Sequence, residues 1–458
     1  MSAVARSLAL AALCIGVAHG ATEVVLRKAL RTSGVVHLPS GVTEIAREIE
    51  LPANSHDLTI DGGGATLKLA DRFFGRALFV CTHCRNIHFE NFEVDGNRKM
   101  LGRPVGLAPS DRTFARFTPA NGILAEESDG VQIHNIQLRE IAGFAVLVNH
   151  SSHIEIDSVT VDQSGTSNVN KRNNATGGIL LEEGTTDFRV THCALTGILG
   201  NGIWTHSMYR SPRNVRGTFS GNKIVRVGRD AIQVGHASEV VVEKNSGAEI
   251  GYPVEAVDVE GQATPVAVDT AGDVDKSFYR DNHFLEVNGK CIDLDGFHDG
   301  DVTGNECTNQ EPRSAYPQGN FGIVLNNSNP DMRSQNVRIL NNTIDGWLYG
   351  GIVVIGTGHT IEGNHLLRLN MAHCNEEAQQ FGCFYLGGEP DVLRSGIYLR
   401  KGNHRPDPAT GNTIQNNEIT GFGMSRHCIA SGPGVDETKN RIAHNECSDD
   451  GPLSARVY

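Results

Sequence analysis

The chain has 458 residues, 52 of them glycine, with 20% charged and 6% aromatic residues and a formal net charge of −13. So acidic a balance excludes a generic nucleic-acid binder, which needs a basic face. Abundant glycine beside few charged residues points to many short strands and tight turns rather than to long helices.

At the N-terminus Arg6 precedes an apolar run from Leu8 to Ala18, and Ala18-His19-Gly20 places small residues at the cleavage positions. This reads as a secretory signal over 1–20, so the mature chain is expected outside the cytoplasm, extracellular or periplasmic. The run is too short to cross a bilayer, and no membrane partner is expected. Residues 21–458 are expected to form a single domain, because a solenoid lengthens by adding coils without thickening its core. Of the ten cysteines, Cys14 falls in the leader, and the odd remainder implies at least one free thiol in an exported chain. Cys374 and Cys383 bracket one loop and are the best disulfide pair. Cys291 with Cys307, and Cys428 with Cys447, read as small buried residues at matching repeat positions.

Next, Glu23 to Ser33 predicts an amphipathic helix able to cover the open end of a solenoid. Strands begin at Gly34-Val35-Val36-His37-Leu38 and Leu58-Thr59-Ile60-Asp61-Gly62-Gly63-Gly64-Ala65-Thr66-Leu67, followed by Asn86-Ile87-His88-Phe89-Glu90-Asn91-Phe92-Glu93-Val94-Asp95-Gly96-Asn97. This opening resembles the pectate lyase and polygalacturonase superfamily of parallel β-helix enzymes. The resemblance implies an all-β fold, a right-handed parallel β-helix with a short N-terminal capping helix.

The repeat itself supports that expectation. An Asn motif recurs at Asn222, Asn245, Asn282, Asn305, Asn342, Asn364, Asn417 and Asn445, the first four gaps being 23, 37, 23 and 37 residues. Such periods mean a repeat architecture, and Ile/Val alternation selects strands. Asn tolerates the left-handed backbone of a tight turn, and stacked amides can bond from rung to rung. A second motif, Gly-Ile-x-Val/Leu-x, places Ile203, Ile232, Val257, Ile292, Ile323, Ile352 and Ile397 in one inward column. The residues one and three places later then point outward. On that register Asp258 lies over Asp293 and Glu260 over Asp295. Four clustered carboxylates repel one another unless a metal, a shared proton or a cation intervenes.

Two chemistries fit such a floor. In one, Asp258, Glu260, Asp293 and Asp295 bind Ca²⁺, which favours clustered oxygen ligands, and Lys290, His206 or Arg210 starts a β-elimination on a uronate. Asp-x-Glu followed by Asp-x-Asp resembles the calcium-dependent pectate lyases in this respect. In the other, two of the carboxylates hydrolyse a glycosidic bond as acid and base or nucleophile. The polygalacturonases resemble that arrangement, but Gly289-Lys290 stands before Cys291-Ile292 where they carry an acidic pair. A third reading is a non-enzymatic glycan-binding or structural β-helix. Trp204 and Tyr209 offer flat faces for sugar rings, and Arg210 and Arg213 join a set of basic loops suited to an acidic polysaccharide or oligosaccharide.

Overall fold

The computed structural model describes residues 23–30, 33–52, 55–103, 111–167, 173–257, 264–375, 383, 388–402, 404–405 and 407–450. The expected signal segment therefore lies outside the described residues. Among them, 36 strands join in one continuous sheet system. Their registered pairings are parallel, and the chain winds as a right-handed parallel β-helix. Each coil contributes up to three short strands, which stack on the corresponding strands of the coils before and after.

The first stack, sheet A, runs through Asn121–Glu126, Phe144–Asn149, Gly177–Glu182 and Asn201–His206. It continues through the first halves of Ile232–Glu243, Val266–Asp275 and Lys290–His298, then Ile323–Asn326, Ile352–Val354 and Ile397–Leu399. Strand alternation turns Ile203, Ile232, Val268, Ile292, Ile323, Ile352 and Ile397 inward, each in register with the next and at most 1% exposed. The expected inward column is present with one correction. Val268, not Val257, fills the rung between Ile232 and Ile292. Val257 closes a short 3₁₀ turn at Val254–Ala256 that follows Pro253, and proline's fixed φ with its missing N–H suits a turn better than a ladder position. A short strand and a short turn are equally compatible with the local residues, so the long-range pairing decides.

At the turn between the second and third strands of each coil, the asparagines form the expected ladder. Asn222, Asn245, Asn282, Asn305, Asn342, Asn364, Asn417 and Asn445 each bond to the next, with amide-to-carbonyl distances of 2.8–3.0 Å. Each acceptor oxygen also takes the backbone N–H of the preceding Asn at 2.9–3.2 Å. The buried turn thus satisfies its own donors, which otherwise cost about 1–3 kcal/mol each.

The N-terminal helix, α1, spans 23–29, shorter than the expected Glu23 to Ser33, and seats Leu26 and Leu30 in the core while Val24 and Val25 are exposed. Cys374 pairs with Cys383 as expected. Cys291–Cys307 and Cys428–Cys447, expected only as small buried residues, are disulfides as well, with Cα atoms 5.9 and 5.7 Å apart, the first pair buried and the second only partly so. Cys193 is a buried free thiol. No helix among the described residues is long and apolar enough to cross a membrane.

Candidate active site

The outer face of sheet A changes character along its length. In the early coils its outward column is Leu124, Leu147, Leu180 and Trp204, packed beneath Phe114 and Ala115 of a short helix, Phe114–Phe117. In the late coils Val324, Val353 and Tyr398 are buried, and Tyr398 packs with Tyr316, Leu348, Tyr349 and Val392. Between these two apolar stretches the same column reads Gln233, Asp269, Asp293. A polar interval flanked by apolar cover is costly unless its groups pair with one another or with a ligand.

Asp269 occupies the rung position expected for Asp258, and Ala271 the position expected for Glu260. Asp258 and Glu260 themselves lie outside the described residues. A signal for the true rung exists in the spacing to the Asn ladder. Ile232 precedes Asn245 by 13 residues and Ile292 precedes Asn305 by 13; Val268 precedes Asn282 by 14, whereas Val257 precedes it by 25.

The central groups form a connected set. Asn201 donates to Gln233 Oε1 at 2.7 Å, and Gln233 Nε2 donates to Asp269 Oδ2 at 2.5 Å. Lys290 Nζ bonds Asp293 Oδ2 directly. Asp293 Oδ1 is buried with no hydrogen-bond partner among the described residues. Asp230, just before the strand one coil earlier, accepts from the Val266 N–H at 2.9 Å. Ser328 gives its N–H to Asp295 Oδ1 at 2.6 Å and its hydroxyl to Oδ2.

Their electrostatics separate these carboxyls. Burial, reinforced by Asp230 and Asp293, pushes Asp269 well above the usual carboxylate range. Burial raises Asp230 to about 6, and burial with Asp293 nearby raises Asp295. Burial alone would lower Lys290, but Asp293, Asp269 and Asp295 hold its ammonium above the ordinary lysine value. The set therefore places Asp269, whose carboxyl pKa is raised by burial and acidic neighbours, on the rung beside Asp293, which is bonded to Lys290.

The described acids do not form a calcium cage. Lys290 takes one oxygen of Asp293, Ser328 takes both oxygens of Asp295, and Gln233 takes one of Asp269. A buried ammonium among them also repels a second cation, and Ca²⁺ wants six to eight free oxygens.

The remaining expected site residues are placed as follows. Trp204 is only 8% exposed, with its ring 5.1 Å from Phe114, so it supports the cover rather than presenting a sugar platform. His206 also lies under Phe114, at 5.2 Å, away from the aspartates on the rungs beyond; burial and the nearby His236 lower its pKa to about 4. Arg213 is tied to Asp273 at 3.0 Å and Asp275 at 3.1 Å. Arg210 is exposed. Tyr209 is 53% exposed, stands edge-on to His236 at 4.3 Å and accepts from Asn329 at 2.6 Å. His298 is clamped between Asp273 at 3.0 Å and Asp299 at 2.7 Å; the Asp273 bond leads the effects that raise its pKa.

Sequence reasoning missed Asp230, Gln233 and Asp269 as site residues, and also Glu182 and Glu183. The Glu pair was within reach, because Gly178-Ile179-Leu180-Leu181-Glu182 is the same repeat motif one coil earlier.

No protein-family model matches the chain, and no curated protein sequence matches it. Solved structures do. A tailspike protein variant of E. coli bacteriophage HK620 in complex with a hexasaccharide superposes with a TM-score of 0.57 at 12% identity, over 92% of this chain and 75% of that one. The catalytic domain of a GH87 α-1,3-glucanase in complex with tetrasaccharides gives 0.49 at 13% identity over 93% of this chain, which spans 65% of that one. A DFA-IIIase from Arthrobacter chlorophenolicus A6 gives 0.49 at 12% identity, over 90% and 87%. At these identities the likeness shows the fold.

Proposed function

We propose that the protein is an exported carbohydrate-active enzyme that hydrolyses glycosidic bonds of a polysaccharide at Asp269 and Asp293. The observation that carries this reading is the pairing of unlike carboxyls on adjacent rungs, with the pKa of Asp269 raised by burial and its acidic neighbours and Asp293 bound to Lys290. Environments that separate two carboxyls in this way are how acid and base roles are assigned in glycosidases. Asp269 donates its proton to the leaving glycosidic oxygen. Asp293 lies one rung away, a backbone spacing of about 4.8 Å, which suits the close carboxyl pair of a retaining mechanism; it attacks the anomeric carbon and forms a glycosyl-enzyme. Asp269, now a base, draws a proton from the water that releases the sugar. Exposed Tyr209, held against His236 and Asn329 and within electrostatic reach of Asp295, offers a flat face to a sugar ring, and the adjacent exposed Arg210 a charge to an acidic unit. The hexasaccharide bound to the tailspike supports a glycan as ligand.

The test is incubation of the purified chain with a panel of neutral and acidic polysaccharides, following both reducing ends and the ultraviolet absorbance of unsaturated product. Reducing ends without that absorbance, surviving exhaustive chelation, are expected. Asp269→Asn and Asp293→Asn should each lower the rate by about 100-fold or more. Unsaturated product that disappears with EDTA would replace hydrolysis with calcium-assisted elimination. Saturable binding without any product would make the protein a glycan-binding β-helix.

A further inference from the structure

Apart from the aspartates, sheet A carries a second group of ionisable side chains. Glu182 ends the strand Gly177–Glu182, Glu183 follows it in the left-handed backbone region at φ 55°, and His206 ends the next rung, in register with Glu182. One ligand atom from each lies within 4.8 Å of the others. The Glu183 side chain is 0% exposed. One of its oxygens accepts from the Met208 N–H at 2.9 Å, and the other, Oε2, has no hydrogen-bond partner among the described residues. His206 Nδ1 is likewise buried without a hydrogen bond, 3.7 Å from Glu183 Oε1.

Glu182 is held differently. Its carboxylate accepts from the Phe114 N–H at 2.9 Å, the Ala115 N–H at 2.8 Å and Asn149 Nδ2 at 2.9 Å, which fixes its orientation at the start of the covering helix. Among the described residues neither glutamate is ion-paired with a lysine or arginine. Two adjacent buried carboxylates, one with an orphaned oxygen, facing an imidazole with an orphaned nitrogen, form a donor set that lacks its acceptor.

We infer that Glu182, Glu183 and His206 form a binding site for a divalent transition-metal ion, with Zn²⁺ the best-matched class. One imidazole nitrogen with two carboxylates suits an ion that accepts both donor types in a low coordination number. Ca²⁺ is disfavoured by the imidazole and by the small number of oxygens. The ion neutralises the glutamate pair, and through Glu182 it braces the segment that carries Phe114 over Trp204. The inference does not rest on the hydrolase reading, since none of its three ligands belongs to the aspartate set.

The test is calorimetric titration of the full chain, stripped with chelator and desalted, with Zn²⁺, Mn²⁺ and Ca²⁺ in separate runs. Saturable binding of one Zn²⁺ per chain is expected, weakened by more than about 100-fold in Glu183→Gln and His206→Gln, because loss of a ligand exceeds the 10- to 100-fold cost of losing an outer-shell partner. Circular dichroism establishes that each variant is folded, and His206→Gln, altering a partly exposed side chain, decides the matter if Glu183→Gln does not fold. Absence of saturable Zn²⁺ binding by the wild-type chain, or equal affinity in His206→Gln, overturns the site. Binding of Ca²⁺ as tight as Zn²⁺ overturns the assigned metal class.

Discussion

Lys290→Met tests the central electrostatic argument without knowledge of the substrate. Methionine keeps most of the apolar stem and removes the ammonium that bonds Asp293, in a pair whose side chains are only 12% and 10% exposed. Breaking one partner of a buried pair costs about 3–5 kcal/mol, because the other charge is left uncompensated. The cost must depend on pH in a definite sense. Asp230, Asp269 and Asp295 all have folded pKa values above their ordinary ones, so the stability each contributes is present in acid and is lost as pH rises through the folded value, which for Asp230 is about 6. Lys290 lowers each of these folded values, so its removal lifts them and enlarges the loss. The deficit of the variant should therefore grow as pH rises above about 6, where the wild type has stopped losing stability through Asp230 and the variant, with that carboxyl lifted further, continues to lose it. Urea denaturation followed by the fluorescence of Trp204 and Trp347 measures it. Adding Asp293→Asn to Lys290→Met should restore more than half of the lost stability at neutral pH. A deficit below about 1 kcal/mol at neutral pH, or one independent of pH, would refute the reasoning.

Three further outcomes are expected. Asn282→Ala removes a mid-ladder amide that accepts from the Asn245 N–H at 3.1 Å and donates to Val242 O at 2.9 Å; orphaning buried groups should cost about 2–4 kcal/mol in urea denaturation, and a loss under about 1 kcal/mol would remove the ladder as a stabilising device. Trp204→Ala should cost about 3–5 kcal/mol and make the segment around Phe114 more sensitive to limited proteolysis; unchanged cleavage would show that the Trp204 contact does not hold that cover. Glu182, pushed by burial to about 7, contributes stability in acid that is lost as pH rises from about 4.5 through about 7. In chelator, Glu182→Gln should therefore gain roughly 3 kcal/mol relative to wild type across that interval, and parallel pH–stability curves would contradict the assignment.

Some of this molecule is written locally. Ile203, Ile232, Ile292, Ile323, Ile352 and Ile397 alternate with outward residues at the two-residue period of a strand, and Asn222 through Asn445 recur at the coil period. Neither pattern needs knowledge of what lies elsewhere, because a parallel ladder of like residues satisfies itself rung by rung. The solenoid and the acidity near Asp293 and Asp295 follow from the same periodicity, while the disulfide between Cys374 and Cys383 is legible because the two cysteines bracket one loop.

Other features depend on contacts between distant parts of the chain. Glu255–Glu260 and Val266–Ala271 both present alternating residues of the right kind, and only pairing with Ile232 on one side and Ile292 on the other selects the second, putting Asp269 rather than Asp258 above Asp293. Trp204 points outward, as its strand position requires, yet Phe114, 90 residues away in the chain, covers it. Arg213 belongs to a basic loop in sequence, but Asp273 and Asp275 from another coil neutralise it. The physical reason is common to all three cases. Strand periodicity is a property of consecutive residues, whereas the choice of rung, the burial of an outward face and the pairing of a charge are set by long-range contacts whose free energies appear only once the coils are stacked.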